Sequence, residues 1–287
     1  MKRFISLLFI SLFIASTIMA QESSEEGKIR LIVRGDDIGS SHAANVGCIK
    51  AYKEGILQSV ELMVPCPWFE EAVKMLNENP GLDVGIHCTL TSEWENYKWG
   101  PLTHAPSITT EEGYFFQGIW PSDNFDGVLR NADYKLEEIE EELRAQIELA
   151  LEKVPHITHM NCHMGCSSWN EEVSEMFNDL KKEYGLDIDM EKHDVQRMPV
   201  DGFREAETTR ERIDLFVKAL KNLTPGTYLW VEHPGVDTPE LRAIGHRGNY
   251  DVAKNRSDVV KVLTSEKVKK AVEEMNIELI GYKDLEE

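Results

Sequence analysis

The chain has 287 residues, with 31 Lys and Arg against 51 Asp and Glu, giving a formal charge of −20 at pH 7. That balance argues against nucleic acid and anionic membrane as partners, because both need positive charge. It suits a soluble exported protein acting on a neutral or cationic substrate, and the length allows one large core or two small ones.

Residues 1–20, MKRFISLLFISLFIASTIMA, put Lys2 and Arg3 before an apolar run and Ala20 at a small-residue cleavage point. This is the pattern of a secretory signal peptide. The run is short for a membrane span, so no stable membrane insertion is expected after cleavage, and an exported location follows, periplasmic or extracellular. Residues 21–28, QESSEEGK, read as a flexible leader. From 29 to 287 short apolar runs alternate with amphipathic stretches, as in a single domain.

Strands are expected in IRLIV, SVELMV, DVGIHCTL, HITHMN, GLDIDM, TYLWVE and IELIGY. Helices are expected over Asn45–Glu54, Trp68–Asn77, Leu136–Lys153, Glu171–Tyr184, Arg210–Leu223 and Ser265–Met275. In the clearest of them Ile139, Leu143, Ile147 and Leu151 keep one face apolar. Thr264 or Ser265 supplies an N-cap for the last. The alternation predicts an α/β fold of about seven mostly parallel strands with crossover helices. Strands apolar nearly throughout fit a sheet covered on both faces. A closed or partly closed (β/α) barrel suits the length, with a doubly wound sheet as the alternative. GxGxxG is absent, which argues against a dinucleotide site.

An aromatic-rich insert at about 92–133 breaks the rhythm, with Trp94, Tyr97, Trp99, Tyr114, Phe115, Phe116, Trp120 and Phe125. A loop so long is functional or packs on its own cluster. Trp94, Trp99 and Trp120 are candidates to stack on a sugar. Cys48, Cys66, Cys88, Cys162 and Cys166 do not form a disulfide framework. Cys162 and Cys166 are close enough to pair, but a bridge is not the expectation.

Polar groups gather at the carboxyl ends of the expected strands. Asp36-Asp37 follow the first, His87 lies near the end of another, and His159, Asn161 and His163 share a third. Glu232 and His233 end a fourth before Pro234-Gly235. In a parallel (β/α) fold those ends open on one face, which carries the active site. Two histidines and one carboxylate hold a divalent metal while leaving positions open. A second carboxylate can then take a proton from water, and an acid on the far side can protonate the leaving group. His233 is placed to be that acid. His159 lies deeper on its strand and reads as a supporting residue, with Asn161 beside it. The competing readings are a turn-and-cap role for the aspartates, and for Glu232 a strand-end polar group rather than a substrate contact.

LIVRGDDIGSSHAANVGCIKAYKEGILQSVELMVPCPWFEEAV, NPGLDVGIHCTLT, PLTHAPSITTEEGYFF, THMNCHMG, VEHPG and LTSEKVKKAVEEMNIELIGYKDL together resemble, in order and spacing, the YdjC-like carbohydrate deacetylases. The resemblance implies a distorted (β/α) barrel and removal of N-acetyl groups from amino sugars with a divalent metal. It implies Asp36 as general base, His233 as general acid, and Asp37, His87 and His163 as metal ligands. The order of the two aspartates comes from the resemblance alone. Arg34-Gly35 stand where the family usually has Asn-Ala. In the third-ligand segment, Asn161 replaces an Asp and Gly165 a His. Zinc is favoured by the donor types, with magnesium, manganese, cobalt or nickel as alternatives.

Two other functions fit parts of the pattern. A glycoside hydrolase would pair Asp36 or Asp37 with Glu232, and a secreted glycan-binding protein would keep the frame without the chemistry. A carbohydrate is the expected partner in every case, and homodimerisation is left open.

Overall fold

The structure, a computed structural model, describes residues 27–285. The expected signal peptide and residues 21–26 of the leader lie outside the described residues. Seven strands are found there: β1 (Ile29–Ile38), β2 (Ser59–Leu62), β3 (Asp83–Cys88), β4 (Ile157–Cys162), β5 (Val195–Arg197), β6 (Gly226–Glu232) and β7 (Ile277–Ile280). Their order is β4-β3-β2-β1-β6-β5, and every pairing is parallel. β7 pairs with Ile29–Ile32 at the start of β1, while β2 takes over from Arg34 onward. The sheet curls into a barrel left open between β4 and β5, which agrees with the distorted (β/α) barrel.

Among the described residues eight α-helices cover the strands: α1 (His42–Glu54), α2 (Phe69–Asn77), α3 (Leu136–Lys153), α4 (Glu171–Glu183), α5 (Thr209–Lys221), α6 (Pro239–Arg242), α7 (Val252–Leu263) and α8 (Glu266–Glu274). β2 and β3 are buried at every residue: Val60, Leu62, Val84, Ile86 and Cys88 alternate with the buried polar residues Ser59, Glu61, Asp83 and His87 on the other face. On α3, Ile139, Leu143 and Ile147 enter the core beside two buried polar residues. Gln146 pairs with both the N–H and the C=O of Thr89, at 2.9 and 2.8 Å. Glu142 accepts from the Leu102 and Thr103 amides. Those bonds satisfy backbone groups that the end of β3 and the following insert would otherwise bury unpaired.

Several expectations need correction. GLDIDM is not a strand; the fifth strand is Val195–Arg197. The alternating apolar residues Ile188 and Met190 pack against a small cluster of Ile32, Leu229 and Ile280 instead of pairing in a ladder. Helices α6 and α7 were not expected. Ser265 stands at the N-cap of α8, but its side chain makes no cap hydrogen bond. Cys162 and Cys166 are joined as a disulfide, and Cys48, Cys66 and Cys88 are free and buried. Within the insert, Trp94, Trp99, Phe115 and Ile119 belong to the main core.

Candidate active site

Adjacent residues of a regular strand point to opposite faces, yet Asp36 and Asp37 reach the same site. The register of β1 against β2 shifts between Gly35 and Ile38, and Asp37 takes a left-handed φ of 73°. Aspartate tolerates that backbone better than most residues do. Asp36 Oδ2 and Asp37 Oδ1 then lie 3.9 and 3.6 Å from His87 Nε2. The approach of β6 depends on Gly35: a Cβ there would stand 2.7 Å from Leu57 Cδ1 and 3.1 Å from Pro234 Cγ. Pro234 directly follows His233, so this close contact sets where His233 enters.

Asp37, His87 and His163 form the one group of three metal-type side chains among the described residues. His163 Nδ1 is 3.4 Å from Asp37 Oδ1 and 3.3 Å from His87 Nε2. All three residues are buried. Asp37 Oδ2 is held by Arg256 of α7, whereas Oδ1 is buried with no hydrogen-bond partner. A buried carboxylate oxygen facing two imidazole nitrogens without a hydrogen bond calls for positive charge, which a metal ion or a protonated His163 can supply. His87 Nδ1 lies 2.6 Å from Asn161 Oδ1, an acceptor that puts the proton on Nδ1 and leaves Nε2 free to ligate. The donor set therefore fits a divalent cation.

Electrostatics divide the two carboxylates. Burial would raise the Asp36 pKa, but the Arg34 guanidinium outweighs it and the net shift is downward. For Asp37 burial again opposes, and Arg256 with the nearby histidines holds the carboxyl well below the usual range. Burial pulls the His163 imidazolium down, yet Glu93 and Asp37 push it up to about 10 in the metal-free protein. His233 is also raised: Asp37 and Glu232 outweigh its burial. Its Nδ1 is 3.7 Å from Glu232 Oε2.

A cavity of about 390 Å³ opens onto this cluster. Asp37, His163, Glu232, His233 and Trp94 all line it. Asp36 and His87 sit behind that lining, Asp36 only 5 % exposed. His159 is deeper still, bonded to Glu61 at 2.9 Å and stacked on Tyr282. It connects to Asp36 through Glu61 and Arg34. Trp99 is away from the cavity, buried, with its indole N–H donating to the Thr91 carbonyl. Trp120 is 42 % exposed and not on the cavity lining, and lies beside Gly165.

Three participants escaped the sequence reading. Glu93 faces His163 Nε2 at 3.2 Å, Arg256 grips Asp37, and His246 lines the cavity stacked on Trp94. The position of Glu93, just past the strand bearing His87, was the one available signal.

A family profile described as YdjC-like protein matches residues 30–274. The chain belongs to the YdjC-like family. A carbohydrate deacetylase of Clostridium beijerinckii is 31% identical over 268 residues, covering 90% of this chain and 100% of the relative. One from Listeria monocytogenes is 29% identical over 273 residues with the same coverage. A crystal structure from Enterococcus faecalis, described as a cellobiose-phosphate cleavage protein, aligns with a TM-score of 0.69 at 24% identity. It covers 90% of this chain and 99% of its own, and shares the fold. The Clostridium and Listeria relatives, both matched over their full length, carry the name carbohydrate deacetylase. No helix of the described residues is long and apolar enough to cross a membrane.

Proposed function

We propose that this YdjC-like chain is a divalent-metal-dependent hydrolase that removes N-acetyl groups from amino-sugar oligosaccharides or related glycans outside the cytoplasm. The observation that carries the reading is Asp37 Oδ1, buried without a partner and facing His87 Nε2 and His163 Nδ1 at 3.6 and 3.4 Å. Asp37, His87 and His163 would hold the cation, zinc by preference for this mixed N/O donor set. When bound, such a cation supplies Lewis acidity, polarising the acetyl carbonyl and acidifying water.

The chain's own residues do the rest. Asp36, kept ionised by Arg34, accepts a proton from the attacking water. His233, protonated beside Glu232, donates to the sugar nitrogen as the amide C–N bond breaks. Trp94 and His246 wall the cavity that would take the sugar, and Glu93 orients His163 as Asn161 orients His87. The Lys2-Arg3 pattern of residues 1–20 and the Cys162–Cys166 bond support action in an oxidising, exported compartment.

Mass spectrometry of products from N-acetylated oligosaccharides tests the reaction class. The expected product keeps its full chain length and lacks acetyl groups. Shortened oligosaccharides would replace this reading with a glycoside hydrolase, and tight binding with no product would make the chain a glycan-binding protein.

A further inference from the structure

His163 lies inside a five-residue segment whose two ends are bonded to each other. β4 ends at Cys162, a single 3-10 turn covers His163–Gly165, and the sulfurs of Cys162 and Cys166 are joined. Within this ring Met164 has φ 52° and Gly165 φ 72°. Glycine takes the left-handed region freely, whereas methionine pays a steric cost there and needs its surroundings to hold it. One backbone hydrogen bond, from Cys166 N to the His163 carbonyl at 3.2 Å, closes the turn.

The far end of the ring is anchored on the other ligand strand. Cys166 is fully buried, its sulfur 3.2 Å from the Cys88 carbonyl oxygen. Cys88 directly follows His87 and stands opposite Cys162 in the β3–β4 ladder. The disulfide therefore closes the turn that carries His163 back onto β4, with the buried Cys166 sulfur packed against the strand that carries His87. The left-handed Met164 turns its sulfur to the Thr91 hydroxyl at 3.4 Å and lines the cavity.

We infer that the Cys162–Cys166 bond is a positioning clamp for His163, so that this chain holds its divalent cation tightly only in the oxidised state. This rests on the reading of Asp37, His87 and His163 as metal ligands. An external dithiol supplies two electrons and its own two protons, so the S–S bond becomes two thiols as the dithiol becomes a disulfide; a phosphine takes the oxygen of one water, whose two protons complete the thiols, and becomes a phosphine oxide. Met164 is then free to leave the left-handed region, and His163 moves with it.

The test is a cobalt(II) titration followed by absorption, on the purified metal-free protein in three forms: oxidised, phosphine-reduced, and Cys162→Ser/Cys166→Ser. The oxidised protein should bind without a sulfur-to-cobalt charge-transfer band. The other two should bind at least about 10-fold more weakly, the scale of losing a group that orients a ligand. Reoxidation of the reduced wild type should restore the affinity, and this arm stands even where the serine variant fails to fold. Equal affinity in the oxidised and reduced wild type would overturn the clamp. So would undiminished binding with a new sulfur band on reduction, which would make the thiols ligands. Absence of cobalt binding by the oxidised protein itself would remove the metal reading, a different failure from loss of the clamp alone.

Discussion

Arg34 grips Asp36 with two parallel hydrogen bonds, Nε to Oδ1 at 2.8 Å and Nη2 to Oδ2 at 3.0 Å. The two residues lie on one face of β1, two positions apart, and the guanidinium also approaches Glu61 at 3.6 Å and bonds the Tyr282 hydroxyl. Such a fork holds a buried carboxylate ionised and aimed. Asp36 is thus fixed from behind while its neighbour Asp37 faces His87 and His163.

Removing the fork leaves Asp36 and Glu61 buried without their cation. Arg34→Ala should lose about 3–5 kcal/mol of unfolding free energy, as for other broken buried pairs. Metal content should persist, because Asp37 has its own partner in Arg256. Urea unfolding and metal stoichiometry on the same sample check both halves.

Asn161 Oδ1 fixes the proton of His87 on Nδ1. Asn161→Ala should weaken metal binding by about 10- to 100-fold, whereas Asn161→Asp should match or exceed the wild type. Calorimetric titration of the metal into both variants measures this. Equal affinity for the alanine variant would exclude Asn161 from the site.

Gly35 has no room for a Cβ against Leu57 and Pro234. Gly35→Ala should displace the strand end bearing His233 and cost about 1–3 kcal/mol, as overpacking does. Turnover should fall while metal affinity is kept, since His233 is not a ligand. Parallel kinetics and metal titration separate the two effects.

Asp258 on α7 accepts from Thr209 at 2.6 Å and pairs with Lys261 at 3.0 Å. Burial would raise its pKa, but the Thr209 hydroxyl with Lys261 and Lys254 brings it below the ordinary 3.8. A depressed folded-state pKa gives stability that is present above 3.8 and is lost as pH falls through the folded value. Asp258→Asn should therefore cost about 1–3 kcal/mol at pH 7, with the gap from wild type closing in stronger acid. Denaturant unfolding across that pH range measures it.

The strand–helix alternation and the residues at strand ends were readable because burial on both faces and a shared carboxyl-end rim leave direct marks in sequence. Asp36, Asp37, His87, His163 and His233 converge through β1, β3, β4 and β6 on that logic. Where the reading failed, the cause was local. Arg256 and Asp258 occupy buried positions of α7, so the apolar stripe that marks a helix is broken by two charged residues, of which Arg256 holds Asp37. GLDIDM carries strand-like alternation, but its apolar residues fill the open side of the barrel without a partner strand. Trp99 and Trp120 look alike in sequence, and only the fold shows one buried under Thr91 and the other at the surface. The left-handed Asp37 that brings the doublet to one side has no sequence signal beyond being an aspartate.

The most direct test of the central claim is acetate release from N-acetylated oligosaccharides by chelated, metal-refilled and Asp36→Asn protein. Release by the refilled wild type, its loss on chelation, and a drop of about 10²-fold or more in the variant are the predicted results. Release that survives chelation, or that Asp36→Asn leaves unchanged, would contradict the account.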